Sequence, residues 1–175
     1  ELARVYGGAS PLLVMTSANT GGEPLCLGNR EALQRLAGIA DAWLLHDRDI
    51  LVRVDDSVAG IMPHPSEEAG ASARGAAPFF HRRARGYVPR PVFLRDSVTP
   101  PILGCGGELK ATLCLTRGNE AFVSQHIGDL KNPAVLASYE ECAAHLERLL
   151  EARPRALVCD LHPDFLSAHY AVTQA

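Results

Sequence analysis

Several short clusters in this chain carry side chains able to bind or turn over a ligand. Thr16-Ser17-Ala18-Asn19 follows the apolar run PLLVM (11–15). Hydroxyl and amide groups at a strand end can hydrogen-bond a nucleotide, and their small size lets the backbone come close. The same four residues can equally form a Ser/Asn loop that makes only its own turn bonds. Asp55-Asp56-Ser57 interrupts an apolar stretch. Buried carboxylates are costly unless paired, so one of these can meet an arginine or a magnesium ion, or the trio can be a plain turn between strands. Arg82-Arg83-Ala84-Arg85-Gly86 offers guanidinium groups beside a permissive glycine. Arginine grips phosphate oxygens bidentately, so this is either a polyphosphate clamp or a solvated basic patch.

The C-terminal half adds more. Gly104-Cys105-Gly106-Gly107-Glu108-Leu109-Lys110 is a glycine-rich turn whose backbone N–H groups can cradle a phosphate, with Lys110 as a point charge. Ser124-Gln125-His126 ends one apolar run and Asp160-Leu161-His162-Pro163-Asp164 ends another. Ligands of open α/β sheets gather at strand carboxyl ends, so Gln125, Asp160 and His162 are candidate ligand-binding residues. Lys110 and His126 are the candidate catalytic groups, and His126 and His162 can each serve in acid–base chemistry or as structural histidines. No two histidines have the i, i+4 spacing of helical metal ligands, so no metal site is expected.

These side chains need elements to hold them. PLLVM and AWLLH (42–46) are predicted as strands, Asn29 to Gly38 as a helix capped by Asn29 and stopped by Gly38, and ILVRVDDSVAGIM (50–62) as an extended pair of strands. Residues 63–78, rich in Pro, Ala, Gly and Glu without a period, predict a surface loop or hairpin excursion. PRPVFLRDSVTPP (89–101) reads as a proline-rich linker and places a domain boundary there. Beyond it lie ILGCGG, TLCLTRG and AFVSQHIGDL, with Gly118-Asn119 as a tight turn between the second and third runs. A helix from Ser138, acting as N-cap with Glu141 as its capping-box partner, runs to Ala152, and the strand ALVCD (156–160) follows. The fold class is therefore mixed α/β, its later part matching the β-β-β-α-β opening of a ribonuclease-H-like, actin-like ATPase unit.

Composition narrows the function classes. With 175 residues, net charge −3 and 47% hydrophobic residues, the chain is an ordinary folded polypeptide with no electrostatic case for nucleic acid. No run approaches the roughly 18 apolar residues needed to span a bilayer, and no signal peptide is visible. The 5 cysteines lack C-x-x-C spacing, and Cys105, Cys114 and Cys159 sit in apolar runs as small hydrophobes, which points to a reducing cytoplasm. The chain opens on Glu1 and reads as a piece of a longer polypeptide.

The order MTSANTGGEP, IADAWLLHDRDI, RVDDSV, RRARGYVP, GGELKATLCL, SQHIGDL, DLHPDFLSAHYA resembles the HypF family, the carbamoyltransferases of [NiFe]-hydrogenase maturation, from Pro11 to about Ala171. The resemblance implies that residues 1–88 are the C-terminal part of a YrdC-like nucleotide-binding domain. Residues 102–175 are then the start of a Kae-type actin-like domain. It also implies use of carbamoyl phosphate and ATP with Mg2+ to form a carbamoyl-adenylate, and transfer of the carbamoyl group to the C-terminal cysteine of a HypE-type acceptor protein. Ser17 and Asn19 match the family's nucleotide-binding SxN element; Ser57, Arg83 and Arg85 match positions near the phosphates. Zinc or iron is expected only in parts of the parent protein outside this chain, and neither nucleic acid nor membrane is an expected partner. Alone, the chain is expected to be inactive. Ala59 and Gly60 follow DDSV where the family carries an arginine, and Ala111 departs from GGELKNT. Rival readings are an antibiotic O-carbamoyltransferase of the same architecture, a threonylcarbamoyl-adenylate synthase and a non-catalytic interface module.

Overall fold

In the computed structural model the described residues are 12–62 and 77–175, with Arg4, Gly7 and Gly8. The N-terminal half begins with α1 (Asn29–Arg35), which buries none of its residues. Ion pairs hold it instead: Arg35 reaches Glu31 at 2.5 Å and Glu23 at 2.6 Å. Asn29 was the expected cap, but the N-cap is Gly28, and Asn29 Nδ2 donates to the His46 carbonyl at 2.6 Å. The helix ends before Gly38, whose φ of +83° favours glycine.

The strands expected at 11–15 and 42–46 are not formed among residues 12–15 and 42–46, and Leu12 and Leu44 stand fully exposed. A strand is stable only when a neighbour takes its N–H and C=O groups, and no described residue forms a β-ladder with either segment. The extended pair expected over 50–62 is a single strand, β1 (Val58–Met62), whose antiparallel partner is β2 (Ala77–Arg82). Most of the loop expected at 63–78 lies outside the described residues. At Gly60 a Cβ would sit 2.5 Å from the Phe79 ring, so that ring fills the space a side chain would need.

The C-terminal half is a sheet with two helices. Its elements are β3 (Val92–Val98), β4 (Ile102–Gly104), β5 (Cys114–Val123), α2 (Pro133–Leu150), β6 (Ala156–Val158) and α3 (Leu166–Gln174). The sheet order is β3-β5-β4-β6, with β4 and β6 parallel and the other pairs antiparallel. The segment expected as a linker is thus largely the strand β3, paired along Val92↔Ala121 and Phe93↔Glu120. Its prolines lie outside the strand, where no ladder bond is required of them.

The span of β5 folds back on itself. Ser124 N–H donates to the Leu113 carbonyl at 2.7 Å, and Leu113 N–H donates to Ser124 Oγ at 2.8 Å. A straight strand of this length would hold its ends roughly 30 Å apart. The reversal falls at Gly118-Asn119, as the sequence suggests, with Gly118 at φ +61°. β3 pairs with the arm after the reversal and β4 with the arm before it, which gives the antiparallel β-β-β, helix, parallel β order of the ribonuclease-H-like unit.

Helix α2 starts earlier than expected. Asn132, not Ser138, is the N-cap; its side chain accepts from Ala134 N–H at 2.9 Å and Pro133 opens the first turn. Val135, Tyr139, Ala143, Leu146 and Leu150 bury against Leu103, Leu113, Leu115 and Phe122 of the sheet. One polar bond runs through this core, from the Tyr139 hydroxyl to the Cys105 carbonyl at 2.6 Å. It ties the helix to the glycine-rich turn, where Gly106 is obligatory because a Cβ would lie 2.1 Å from the Thr112 carbonyl.

Candidate functional site at the junction of the two halves

A cavity of about 530 Å³ opens where the halves meet. Asn19, Arg53 and Asp55 line it from the N-terminal side; Gln125, His126 and Glu141 line it from the C-terminal side. Of the sequence-predicted site residues it brings together Asn19, Gln125 and His126. Asn19 Nδ2 donates to the carbonyls of Thr20 and Glu23, both at 2.9 Å, and Cys26 N–H closes the turn onto the Ala18 carbonyl at 2.9 Å. The loop therefore does make its own turn bonds, and these present Asn19 to the cavity. Ser17 is exposed, and its carbonyl accepts from Asn19 N–H at 3.1 Å.

Ser57, Arg83 and Arg85 form a second group. Ser57 Oγ accepts from Ala84 N–H at 2.8 Å and donates to the Arg85 carbonyl at 3.0 Å, which joins the DDSV and RRARG segments. Ala84 is fully buried, so its two arginine neighbours diverge. Arg83 turns toward the sheet and donates to the carbonyls of Val123 at 3.3 Å and Arg90 at 2.7 Å. Arg85 keeps a side chain that is 68% exposed, touching the Val54 carbonyl at 3.0 Å and lying 3.7 Å from Asp56.

His126 is held by its backbone, whose N–H donates to the Arg83 carbonyl at 3.0 Å. Burial in the cavity lowers its imidazole below the ordinary value of 6.5; Arg82 and Lys110 lower it further, against the opposing charge of Asp55. Lys110 is exposed on the edge of the glycine-rich turn, close enough to act on His126 through its charge. Asp160 and His162 do not join this group. They line a separate cavity of about 440 Å³ beside α3, where His162 stacks on Phe165 with ring centres 4.4 Å apart. Among the described residues, no three His, Cys, Asp or Glu side chains cluster to hold a metal ion, and no helix is long and apolar enough to cross a membrane.

Sequence reasoning missed three residues that build the site. Arg53 donates to the Leu25 carbonyl at 2.8 Å and to Glu141 at 2.6 Å, and so spans the cavity; its only sequence signal is a lone charge in the apolar LVRV. Glu108, buried in the glycine-rich turn, accepts from Leu166 N–H at 2.9 Å and caps α3, which has no side-chain cap of its own. Tyr139, whose hydroxyl ties α2 to the Cys105 carbonyl, carries no sequence signal beyond its place in the helix.

A loop carrying Asn19 that faces the strand end of Gln125 and His126 defines the general class, a two-unit α/β protein with a cavity between its units. Residues 97–175 match the family model described as the HypF Kae1-like domain, and residues 2–68 match the Sua5/YciO/YrdC model described as "Telomere recombination". The chain is 55% identical over 95% of its length to carbamoyltransferase HypF2 of Cupriavidus necator, covering 19% of that protein. It is 46% identical over 98% of its length to carbamoyltransferase HypF of Rhizobium leguminosarum bv. viciae, covering 21% of it. A crystal structure of full-length HypF in the phosphate- and nucleotide-bound form superposes with a TM-score of 0.80 at 40% identity, over 90% of this chain and 23% of that one. The chain belongs to the HypF family and spans about a fifth of the length of the curated relatives it matches.

Proposed function

We propose that the chain is the junction of a HypF-type carbamoyltransferase, in which an adenylate-forming unit hands its product to a transfer unit. The observation that carries this reading is the cavity lined jointly by Asn19 and Asp55 from one half and by Gln125 and His126 from the other. The division falls before β3, with residues 1–88 belonging to the YrdC-like unit and the Kae-type unit beginning near Val92.

The parent protein uses carbamoyl phosphate and ATP as substrates. Water first cleaves carbamoyl phosphate to carbamate and inorganic phosphate; a carbamate oxygen then attacks the α-phosphorus of ATP, and pyrophosphate leaves. Such a step needs charge stabilisation and alignment more than a protein nucleophile. Arg85 suits the phosphates better than Arg83, because both terminal nitrogens of Arg83 are engaged by carbonyls. Asn19 and Ser17 hold the nucleotide, and Ser57 positions Arg85 through its carbonyl. Magnesium commonly rests on one or two carboxylates and substrate phosphates. Asp55 fits that role, since it faces the cavity while Glu23 and Glu141 are taken by arginines. In the second step the thiol sulfur of a HypE-type acceptor attacks the carbamoyl carbon and AMP leaves. His126, neutral near pH 7, accepts the thiol proton, and Lys110 contributes positive charge at the mouth. Gln125 orients the carbamoyl group by hydrogen bonds. The chemistry belongs to a reducing cytoplasm, where the acceptor thiol stays free.

The test is ATP–pyrophosphate exchange in the full-length parent. Exchange that requires carbamoyl phosphate, and that Arg85→Ala lowers far more than it lowers adenosine binding, supports the reading. Exchange indifferent to carbamoyl phosphate would overturn it.

A further inference from the structure

Among the described residues, the two halves share polar contacts at three places, one of them the bond from Asn132 Nδ2 to the Gly22 carbonyl at 3.4 Å. At another, Arg83 donates to Val123 while its carbonyl receives His126 N–H. At the third, Arg53 meets Glu141 of α2 at 2.6 Å. We propose that Glu141 is a positioning residue which, through Arg53, sets the Asn19 loop against α2, so that a product formed beside Asn19 lies within reach of His126. This rests on the two-step reading above and adds the contact that aligns its steps.

The connection can be followed bond by bond. Arg53 Nε holds the Leu25 carbonyl at 2.8 Å, and its Nη2 lies 3.8 Å from Glu31. Glu31 pairs with Arg35, Arg35 pairs with Glu23 at 2.6 Å, and the Glu23 carbonyl receives Asn19 Nδ2 at 2.9 Å. The carboxylate of Glu23 sits below the usual range, held down by the Thr20 hydroxyl and Arg35. On the far side α2 is fixed to the glycine-rich turn through Tyr139, so Arg53 grips a helix that cannot drift.

The exposures suggest geometry rather than stability as the purpose. Arg53 is 20% exposed but Glu141 is 63% exposed, and an ion pair with one wet partner contributes little to folding. Arginine's planar fork nevertheless fixes direction, and it reaches Leu25, Glu31 and Glu141 at once. The other attachments are Arg83 and the long Asn132–Gly22 bond at the start of α2, so losing the Arg53 contact releases the middle of α2 from the Leu25 and Glu31 segment and lets the cavity widen there. A misplacement of about 1 Å between reacting groups can cost a factor of 10 to 100 in rate.

The experiment uses the full-length protein with Glu141→Gln and Glu141→Arg. It measures carbamoyl-phosphate-dependent ATP–pyrophosphate exchange, which reports the first step, beside single-turnover carbamoyl transfer to the acceptor thiol, both across a salt series. Exchange should fall less than transfer in both variants, because the groups assigned to adenylation, Asn19, Ser57 and Arg85, all lie on the N-terminal half. Transfer should fall about tenfold in Glu141→Arg and less in Glu141→Gln. The ratio of transfer to exchange should decline with salt in the unaltered protein and be flat in Glu141→Gln, since a wet ion pair is screened and an amide is not. Equal losses in both steps, full transfer in Glu141→Arg, or a salt-independent ratio in the unaltered protein would overturn the proposal. Should Glu141→Arg unfold, Glu141→Gln and the salt series decide alone. Absence of carbamoyl-phosphate-dependent exchange in the unaltered protein instead removes the two-step reading and this inference with it.

Discussion

Arg83 and Arg85 differ by a single intervening alanine, yet burial of Ala84 sends them to different work. Arg83→Ala removes two bonds to carbonyls at the join, so the expected result is a lower melting temperature and impaired transfer even where nucleotide still binds. Arg85→Ala should leave folding stability within about 0.5 kcal/mol of the original, as for other exposed substitutions, while pyrophosphate exchange collapses. Arg85→Lys should recover only part of that exchange, because an ammonium cannot form the bidentate fork. His126 gives a prediction in pH. Its imidazole titrates lower in the folded protein than the ordinary 6.5, so below that value the unfolded chain binds the proton more readily. Stability should therefore decline as pH falls through 6.5, levelling off once the folded form is protonated too. Denaturant titrations at pH 7.5 and 5.5 (chosen to bracket the ordinary histidine range) should differ less for His126→Gln than for the unaltered protein, and an equal difference would count against this assignment.

At the scale of elements, what could be read from the sequence was whatever local chemistry determines. The Gly118-Asn119 reversal and the strand at 156–158 were legible because a turn signal and a short apolar run name them directly. The start of α2 was also written there, in Asn132-Pro133, a cap followed by a first-turn proline; a capping-box pattern at Ser138 obscured it. Asn132→Ala should cost about 1 kcal/mol in a urea titration, and Ser138→Ala much less. Tyr139→Phe should cost about 1–3 kcal/mol, because it leaves the Cys105 carbonyl buried without its donor. The unformed strands at 12–15 and 42–46 were not legible for the opposite reason. Apolarity says that a segment wants a partner, and only the whole sheet says whether one stands beside it. The same holds for the site: Asn19, Gln125 and His126 belong to recognisable short patterns, whereas Arg53 and Glu141 are far apart in sequence and become a pair only through folding.

For the molecule as a whole, pairing of β3 with β5 changes where a protease should find backbone. A cut between 92 and 98 requires breaking the sheet, so it should be slow in native conditions and speed up with the C-terminal half's own unfolding. Primary cleavage there, ahead of any cut before Pro78, would contradict the pairing. The parallel register of β4 with β6 reaches further still. Leu103 sits beside Leu157, and the chain between them must complete the hairpin and the whole of α2 before the two can meet. Antiparallel neighbours here close through short excursions, but this pair pays the entropy of a long loop. During synthesis the hairpin can assemble while later residues are still inside the ribosome, and Glu108 must wait for the helix it caps to be made. The later-made α3 thus supplies the N–H groups that hold the glycine-rich turn's acid, so a nascent chain paused short of Leu166 carries a carboxylate whose partner has not yet been translated.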